Sequence, residues 1–79
     1  MARVLLFGPL RDLAGWRERQ VEGGSIAALR AAISAEDPEL ALALAGPGVQ
    51  VALDQALVRG DAAVGAASEV AFLPPMSGG

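Results

Sequence analysis

The sequence predicts an α+β fold in which a mixed sheet is covered on one face by one main helix. Short apolar runs that end at Gly or Pro recur along the chain, and this pattern is typical of strands. One longer segment, residues 26–35, instead has apolar side chains at helical spacing. A chain of 79 residues has room for a single domain with one modest core.

The first part of the chain predicts two paired strands. Arg3–Phe7 is a short apolar run that stops at a Gly-Pro pair, so we predict a buried strand. A short helical turn over Leu10–Ala14 follows. Residues 16–21 then predict an edge strand, because their long polar side chains fit poorly in a core. Since so few residues separate these two strands, we expect them to pair antiparallel.

The middle of the chain predicts two helices. Ser25 is a favourable N-cap for the main helix, which we expect to end near Ala35. Its apolar face consists of Ile26, Leu29 and Ile33. Asp37 and Pro38 are the start signals of a second, short helix that reaches Ala45.

The last part of the chain predicts three strands. They cover residues 49–53, 56–58 and 69–73. Asp54-Gln55 forms a tight turn between the first two of these strands. Val70 and Phe72 alternate onto one face of the last strand, which ends because proline cannot donate to a ladder. This order of elements predicts a two-layer, ubiquitin-like roll over residues 1–73.

The amino-acid composition argues against several kinds of functional site. The chain has no Cys and no His, which argues against disulfides, the usual zinc sites, thiol nucleophiles and imidazole bases. We therefore expect no bound metal and no cofactor. The net charge is −3 and there is no basic run, so nucleic acid is not an expected partner. No run of about 20 apolar residues predicts a membrane helix, and we expect a cytoplasmic protein.

Charge is unevenly distributed along the chain. Residues 1–30 carry five arginines against three acidic residues, a net of +2, whereas residues 31–79 carry one arginine against six, a net of −5. This distribution has two interpretations: an ordinary solvated surface, or a polarised surface that orients docking onto a partner.

The last six residues, 74–79, predict a thin tail. Two prolines leave the last strand, and Gly78-Gly79 completes the sequence. Six extended residues reach up to about 20 Å, and polyproline geometry holds them away from the body. Residues without side chains suit entry into a narrow slot of another protein. The α-carboxylate of Gly79 is then the most distinctive reactive group, once a partner activates it with ATP.

The sequence resembles the small subunit of molybdopterin synthase, the MoaD family of sulfur carriers. The similar segments span nearly the whole chain: residues 4–7, 11–15, 51–55 and 69–79. An aromatic residue followed by Pro-Pro-x-Ser/Thr-Gly-Gly is the most specific of these motifs. The family fold is a ubiquitin-like β-grasp, in agreement with the element order. One departure is Ala66-Ala67-Ser68, where the family usually has an acidic-Gly-Asp turn, so that turn is expected to differ in shape.

The resemblance implies a sulfur carrier without catalytic activity of its own. In the family, a ubiquitin-activating-like adenylyltransferase uses ATP to adenylate the C-terminal glycine, here Gly79, and a sulfurtransferase converts it to a thiocarboxylate. The tail, with Ser77 and Gly78, then enters the large synthase subunit. There the sulfur passes to cyclic pyranopterin monophosphate during molybdenum cofactor synthesis. Family synthases are heterotetramers with two small and two large subunits.

The docking surface is expected near the tail. The side chains predicted to contact the partner are Phe7, Arg11, Phe72, Leu73, Pro74, Pro75 and Met76. For Phe7 and Phe72, packing inside the core is the competing interpretation. Arg11 is the candidate for an ion pair, because Arg and aromatic anchors often dominate interface energetics.

Three other functions remain open at this point. A carrier for thiazole synthesis shares the fold and the Gly-Gly, although its tail usually lacks the two prolines. A ubiquitin-like modifier would form amides with lysines of its targets. A plain interaction domain would have an inert tail. The mass of the protein after co-expression with an activating enzyme separates these possibilities.

Overall fold

A computed structural model describes residues 1–75 of the protein. Its elements follow the predicted order with small shifts at their ends. They are β1 (Ala2–Leu6), α1 (Pro9–Ala14), β2 (Glu18–Val21), α2 (Ile26–Glu36), α3 (Pro38–Leu44), β3 (Gln50–Leu53), β4 (Ala56–Val58) and β5 (Glu69–Leu73). The largest difference is β2, which begins two residues later than predicted.

The five strands form one mixed sheet in the order β2-β1-β5-β3-β4. β1 and β2 are antiparallel, as predicted, and β2 lies at an edge. In the centre, β1 and β5 run parallel, with Leu6 opposite Phe72. β5 also pairs antiparallel with β3, so the last strand in sequence is the middle strand of the sheet. The tail consequently starts from the centre of the sheet.

The core lies between the sheet and the helices. α2 begins at Ser25, whose side chain accepts a hydrogen bond from Ala28 N, as predicted for an N-cap. The α2 face that packs on the sheet consists of Ile26, Leu29 and Ile33, all 2% exposed or less. α3 adds Leu40 and Leu44 to this layer. The main helix is therefore supported by two shorter ones on the same core.

Two turns explain how the sheet is connected. Asp54 and Gln55 both have positive φ, 49° and 71°, which is typical of the two-residue type I′ hairpin that joins β3 to β4. Before β5, Ser68 N donates to Gly65 O and the Ser68 hydroxyl accepts from Gly65 N. This turn forms without a left-handed residue at Ala66 or Ala67.

Residues 1–75 contain no helix that is both long and apolar enough to cross a membrane. In the same residues, no group of three or more acidic, Cys or His side chains could hold a metal ion.

Candidate functional site at the base of the tail

Pro74 and Pro75, which we call the tail base, leave β5 between two loops. A Cβ atom added at Gly8 would lie 3.2 Å from Pro74 Cγ, and one added at Gly48 would lie 2.9 Å from Pro75 Cβ. Both glycines also have positive φ, 57° and 85°. The positive φ favours glycine at both positions, and at Gly48 the approach is also too close for a Cβ atom. As a result, the two loops set the direction in which the chain leaves the sheet.

This arrangement predicts that Gly48→Ala misdirects the tail. An alanine Cβ would meet Pro75 at a separation that real Cβ atoms essentially never show, so the tail base must shift. Gly15→Ala is the matched control, because Gly15 has almost the same φ, 83°, and nothing within 4 Å of an added Cβ. Both variants should lose about 1–2 kcal/mol of stability from the left-handed backbone. Only Gly48→Ala should displace the tail base, measured by NMR as a change in the ¹³C signals of Pro74 and Pro75. Unchanged ¹³C signals in Gly48→Ala would contradict the positioning role.

Three of the predicted docking residues lie beside the tail base. Since Leu6 is opposite Phe72 in the parallel pair, Phe7 and Leu73 follow at the same end of the sheet. Phe7 is 44% exposed and Leu73 is half-buried. The backbone N–H of Arg11 donates to Gly8 O, which places α1 against the loop under Pro74. The Arg11 side chain is half-exposed, with Nε 3.9 Å from the Asp12 carboxylate.

Phe72 does not belong to this surface. Its side chain is 0% exposed and is part of the core cluster. The alternation within β5 turns Phe72 and Val70 toward the helices, so a partner could reach the ring only if the core opened. The prediction that Phe72 contacts a partner is therefore wrong, and core packing is the correct interpretation. Met76, Ser77, Gly78 and Gly79 lie outside the described residues.

Positive charge gathers at the end of the sheet where the tail leaves. The Arg30 guanidinium carbon lies 5.6 Å from the centre of the Phe72 ring, and Arg59 directly follows β4. The opposite end holds the pair Arg3–Glu69, at 2.6 Å. The hydrogen bond that Arg3 donates to the Glu69 carboxylate, with the charge of Glu18, raises the pKa of the Arg3 guanidinium. Arg30 and Arg59, which come from different halves of the sequence, thus lie at the same end of the sheet as the tail base. The charge count along the chain did not indicate this arrangement.

The strand order, the helical layer and a tail that starts from the central strand define a ubiquitin-like β-grasp protein. The structure of small archaeal modifier protein 1 from Methanosarcina acetivorans superposes with a TM-score of 0.88 at 21% identity, covering 99% of this chain and 95% of that one. CysO from Mycobacterium tuberculosis gives 0.82 at 18% identity, covering 96% and 100%. At these identities the likeness shows the fold.

Sequence comparison shows the family. Residues 4–79 match the model of the ThiS family, and the chain belongs to that family. It is 36% identical over 81 residues to the molybdopterin synthase sulfur carrier subunit of Escherichia coli (strain K12). It is also 35% identical to the protein of the same name from Haemophilus influenzae. Each match covers 100% of both chains. The resemblance found from the motifs is thereby confirmed.

Proposed function

We propose that this chain is the sulfur carrier subunit of a molybdopterin synthase. The observation that carries the proposal is the full-length match to two proteins of that name, at 36% and 35% identity. The family match supports it because it extends through Gly79. The structure adds a tail base, Pro74 and Pro75, that is held between two glycine loops.

The chemistry takes place on the α-carboxylate of Gly79. This carboxylate attacks the α-phosphorus of ATP on a ubiquitin-activating-like adenylyltransferase, and pyrophosphate leaves. A persulfide brought by a sulfurtransferase then attacks the carbonyl carbon and AMP leaves, which gives an acyl disulfide. A second thiol of the partner reduces the S–S bond, which releases the thiocarboxylate and leaves a disulfide on the partner. In the large synthase subunit, this group donates its sulfur to cyclic pyranopterin monophosphate. Because the chain has no Cys and no His, thiol and imidazole groups for these steps come from the partners.

The test is the intact mass of the protein after co-expression with the activating enzyme and a sulfurtransferase. Replacement of one oxygen by one sulfur at Gly79, followed by loss of that sulfur when the large subunit and the pterin substrate are added, is the expected result. An unchanged mass would contradict a carrier role. Amide conjugates to lysines of other proteins would indicate a modifier instead. If the protein keeps its sulfur when the pterin substrate is added but loses it in a thiazole-synthesis reaction, the result would indicate the other carrier pathway.

Gly78→Ile should impair both activation and synthase turnover. A β-branched side chain would stand where a narrow channel accepts only backbone. Thermal stability should remain unchanged, and this is measured by a melting curve beside the two rates. Gly78→Ala is the graded control, with a smaller loss expected. Wild-type rates for Gly78→Ile would mean that the tail does not pass through a tight channel.

Arg11→Ala should weaken association with the large subunit. The side chain is half-exposed beside the tail base, so it is available for a carboxylate of the partner. Interface anchors of this type contribute about 2 kcal/mol or more. Isothermal titration with the purified large subunit measures the effect, and Arg17→Ala is the control at another exposed arginine. A wild-type affinity for Arg11→Ala would remove this residue from the interface.

A further inference from the structure

The cationic side chains near the tail base are all arginines. Residues 1–79 contain six basic side chains, and each of them is an arginine. Arg11, Arg30 and Arg59 lie at the end of the sheet where the tail leaves. This end of the molecule therefore carries positive charge without an amine side chain.

Arginine and lysine have the same charge but differ as nucleophiles. A guanidinium group keeps its proton in proteins and serves only as a hydrogen-bond donor. A lysine amine loses its proton in a fraction of the molecules, and the neutral nitrogen attacks carbonyl carbons. An activated acyl group beside a lysine is thus exposed to attack by the amine, whereas one beside an arginine is not.

Arg11 is within reach of the end of the tail. Its backbone N–H donates to Gly8 O, and Gly8 is in close contact with Pro74. Residues three apart in a helical turn are about 5–6 Å from each other. Residues 76–79 span up to about 14 Å as an extended chain. The carbonyl carbon of Gly79 can therefore come next to the Arg11 side chain.

Arg59 is the second arginine within this reach. It directly follows Val58, which is opposite Val51, and Val51 is opposite Phe72. Two strand spacings, about 10 Å, thus separate β4 from β5. Because β4 runs in the same direction as β5, Arg59 lies level with Leu73, close to where the tail begins.

The opposite end of the sheet is out of reach. Six residue steps lead from Glu69 to Pro75, which is about 20 Å of extended chain. The exposed Ala66 lies in the turn before Glu69, and Met1 precedes β1 at the same end. The last four residues cover only about 14 Å of this distance, so these positions lie outside the reach of Gly79 of the same chain.

We propose that Arg11 and Arg59 determine which nucleophile takes the acyl group of Gly79. Both guanidinium groups attract anions, such as the phosphate of an adenylate, to the activated end of the chain. Neither of them attacks the carbonyl carbon, so the acyl group is kept for a nucleophile that a partner supplies. The need for this selectivity rests on the proposed function, in which Gly79 is adenylated.

Lysine at either position would divert the acyl group. Its neutral nitrogen would attack the carbonyl carbon of the adenylate, so that a C–N bond forms and the C–O bond to AMP breaks. AMP would leave with the electron pair of that bond, and the nitrogen would release one proton to the solvent. The product would be an internal amide, which can no longer carry sulfur.

The test uses the protein of residues 1–79 with a thioester at Gly79, made by intein cleavage with a small thiol. Arg11→Lys and Arg59→Lys place an amine within reach of the thioester, and Ala66→Lys is the control with an amine at the far end. Both near variants should form an internal amide, seen as a mass one water lower than that of the free acid. The effective concentration across a short linker is in the mM range, so at about 10 µM protein this amide should form at least about tenfold faster than in Ala66→Lys. The wild-type thioester should give only the hydrolysed acid.

Three results would overturn the proposal. Neither near variant forms the amide faster than Ala66→Lys, the wild-type thioester itself forms an internal amide, or fragment masses place the new amide at a residue other than 11 or 59. None of these readouts uses the activating enzyme, so a failed intact-mass experiment would remove the proposed function and leave this result intact. Conversely, stable thioesters in both lysine variants of a protein that does gain sulfur would remove only this proposal.

Discussion

Deletion of Gly79 should abolish thiocarboxylate formation. The remaining chain would end at Gly78, one residue short of the carboxylate that the proposed activating enzyme would adenylate. Each residue of an extended chain spans about 3.3–3.6 Å, so the carboxylate would lie too far from the reacting phosphate. Catalysis depends steeply on such distances, because reacting atoms need to be about 3–3.5 Å apart. Intact mass after co-expression measures the result directly.

The matched control for this deletion is an added residue. A chain extended by one glycine still ends in a glycine carboxylate without side chains around it. Its carboxylate, however, lies one residue too far along instead of one residue short. Both variants should melt at the wild-type temperature, since Phe72 is the last core residue within residues 1–75. If the chain without Gly79 still supplies sulfur to the large subunit, the carrier mechanism is wrong.

Phe72→Ala should cost about 3–5 kcal/mol of unfolding free energy. The ring is fully buried at the centre of the sheet and supports the guanidinium of Arg30. Since domains are stable by only about 5–15 kcal/mol, this loss would leave a large unfolded fraction in mild denaturant. Urea unfolding followed by circular dichroism measures it.

Phe7→Ala is the control for the same chemical change at the surface. The Phe7 ring is 44% exposed, so truncation should cost far less stability. It should instead weaken association with the large subunit, because Phe7 lies beside the tail base. A stability loss below about 1 kcal/mol for Phe72→Ala would contradict its assignment to the core.

The element order could be predicted from local signals. Ser25 and Asp37 are helix caps in the structure, each accepting a backbone hydrogen bond, because their short side chains satisfy donors at the helix start. Asp54-Gln55 forms the expected tight turn. Such features depend on a few neighbouring residues, and a single sequence displays them.

Features that depend on contacts between residues far apart in the chain could not be predicted from the sequence. The contact of Gly48 with Pro75, for example, joins positions that are far apart in sequence. A pocket of about 510 Å³ between α2 and the β3–β4 hairpin likewise forms only when these two distant segments come to lie side by side. The sequence left two interpretations of Phe72, core packing and partner contact. The side chain lies in the core because it is on the face of β5 that is turned toward α2. The register of β5 with β1 and β3 determines which face that is.

The position of β5 also has a consequence for biosynthesis. β1 is made before every other element of the domain, yet its parallel neighbour β5 is made after all the others, with Arg3 opposite Glu69. Until β5 has left the ribosome, β1 and β3 have no strand between them, and the apolar faces of α2 and α3 have no complete sheet to cover. Pairing over such a long separation is slow, because the loop must close before contacts form. Folding is therefore delayed until the residues just before the tail exist. A product broken off earlier stays unfolded and open to proteases, so folded molecules are those that already contain the strand leading into the tail.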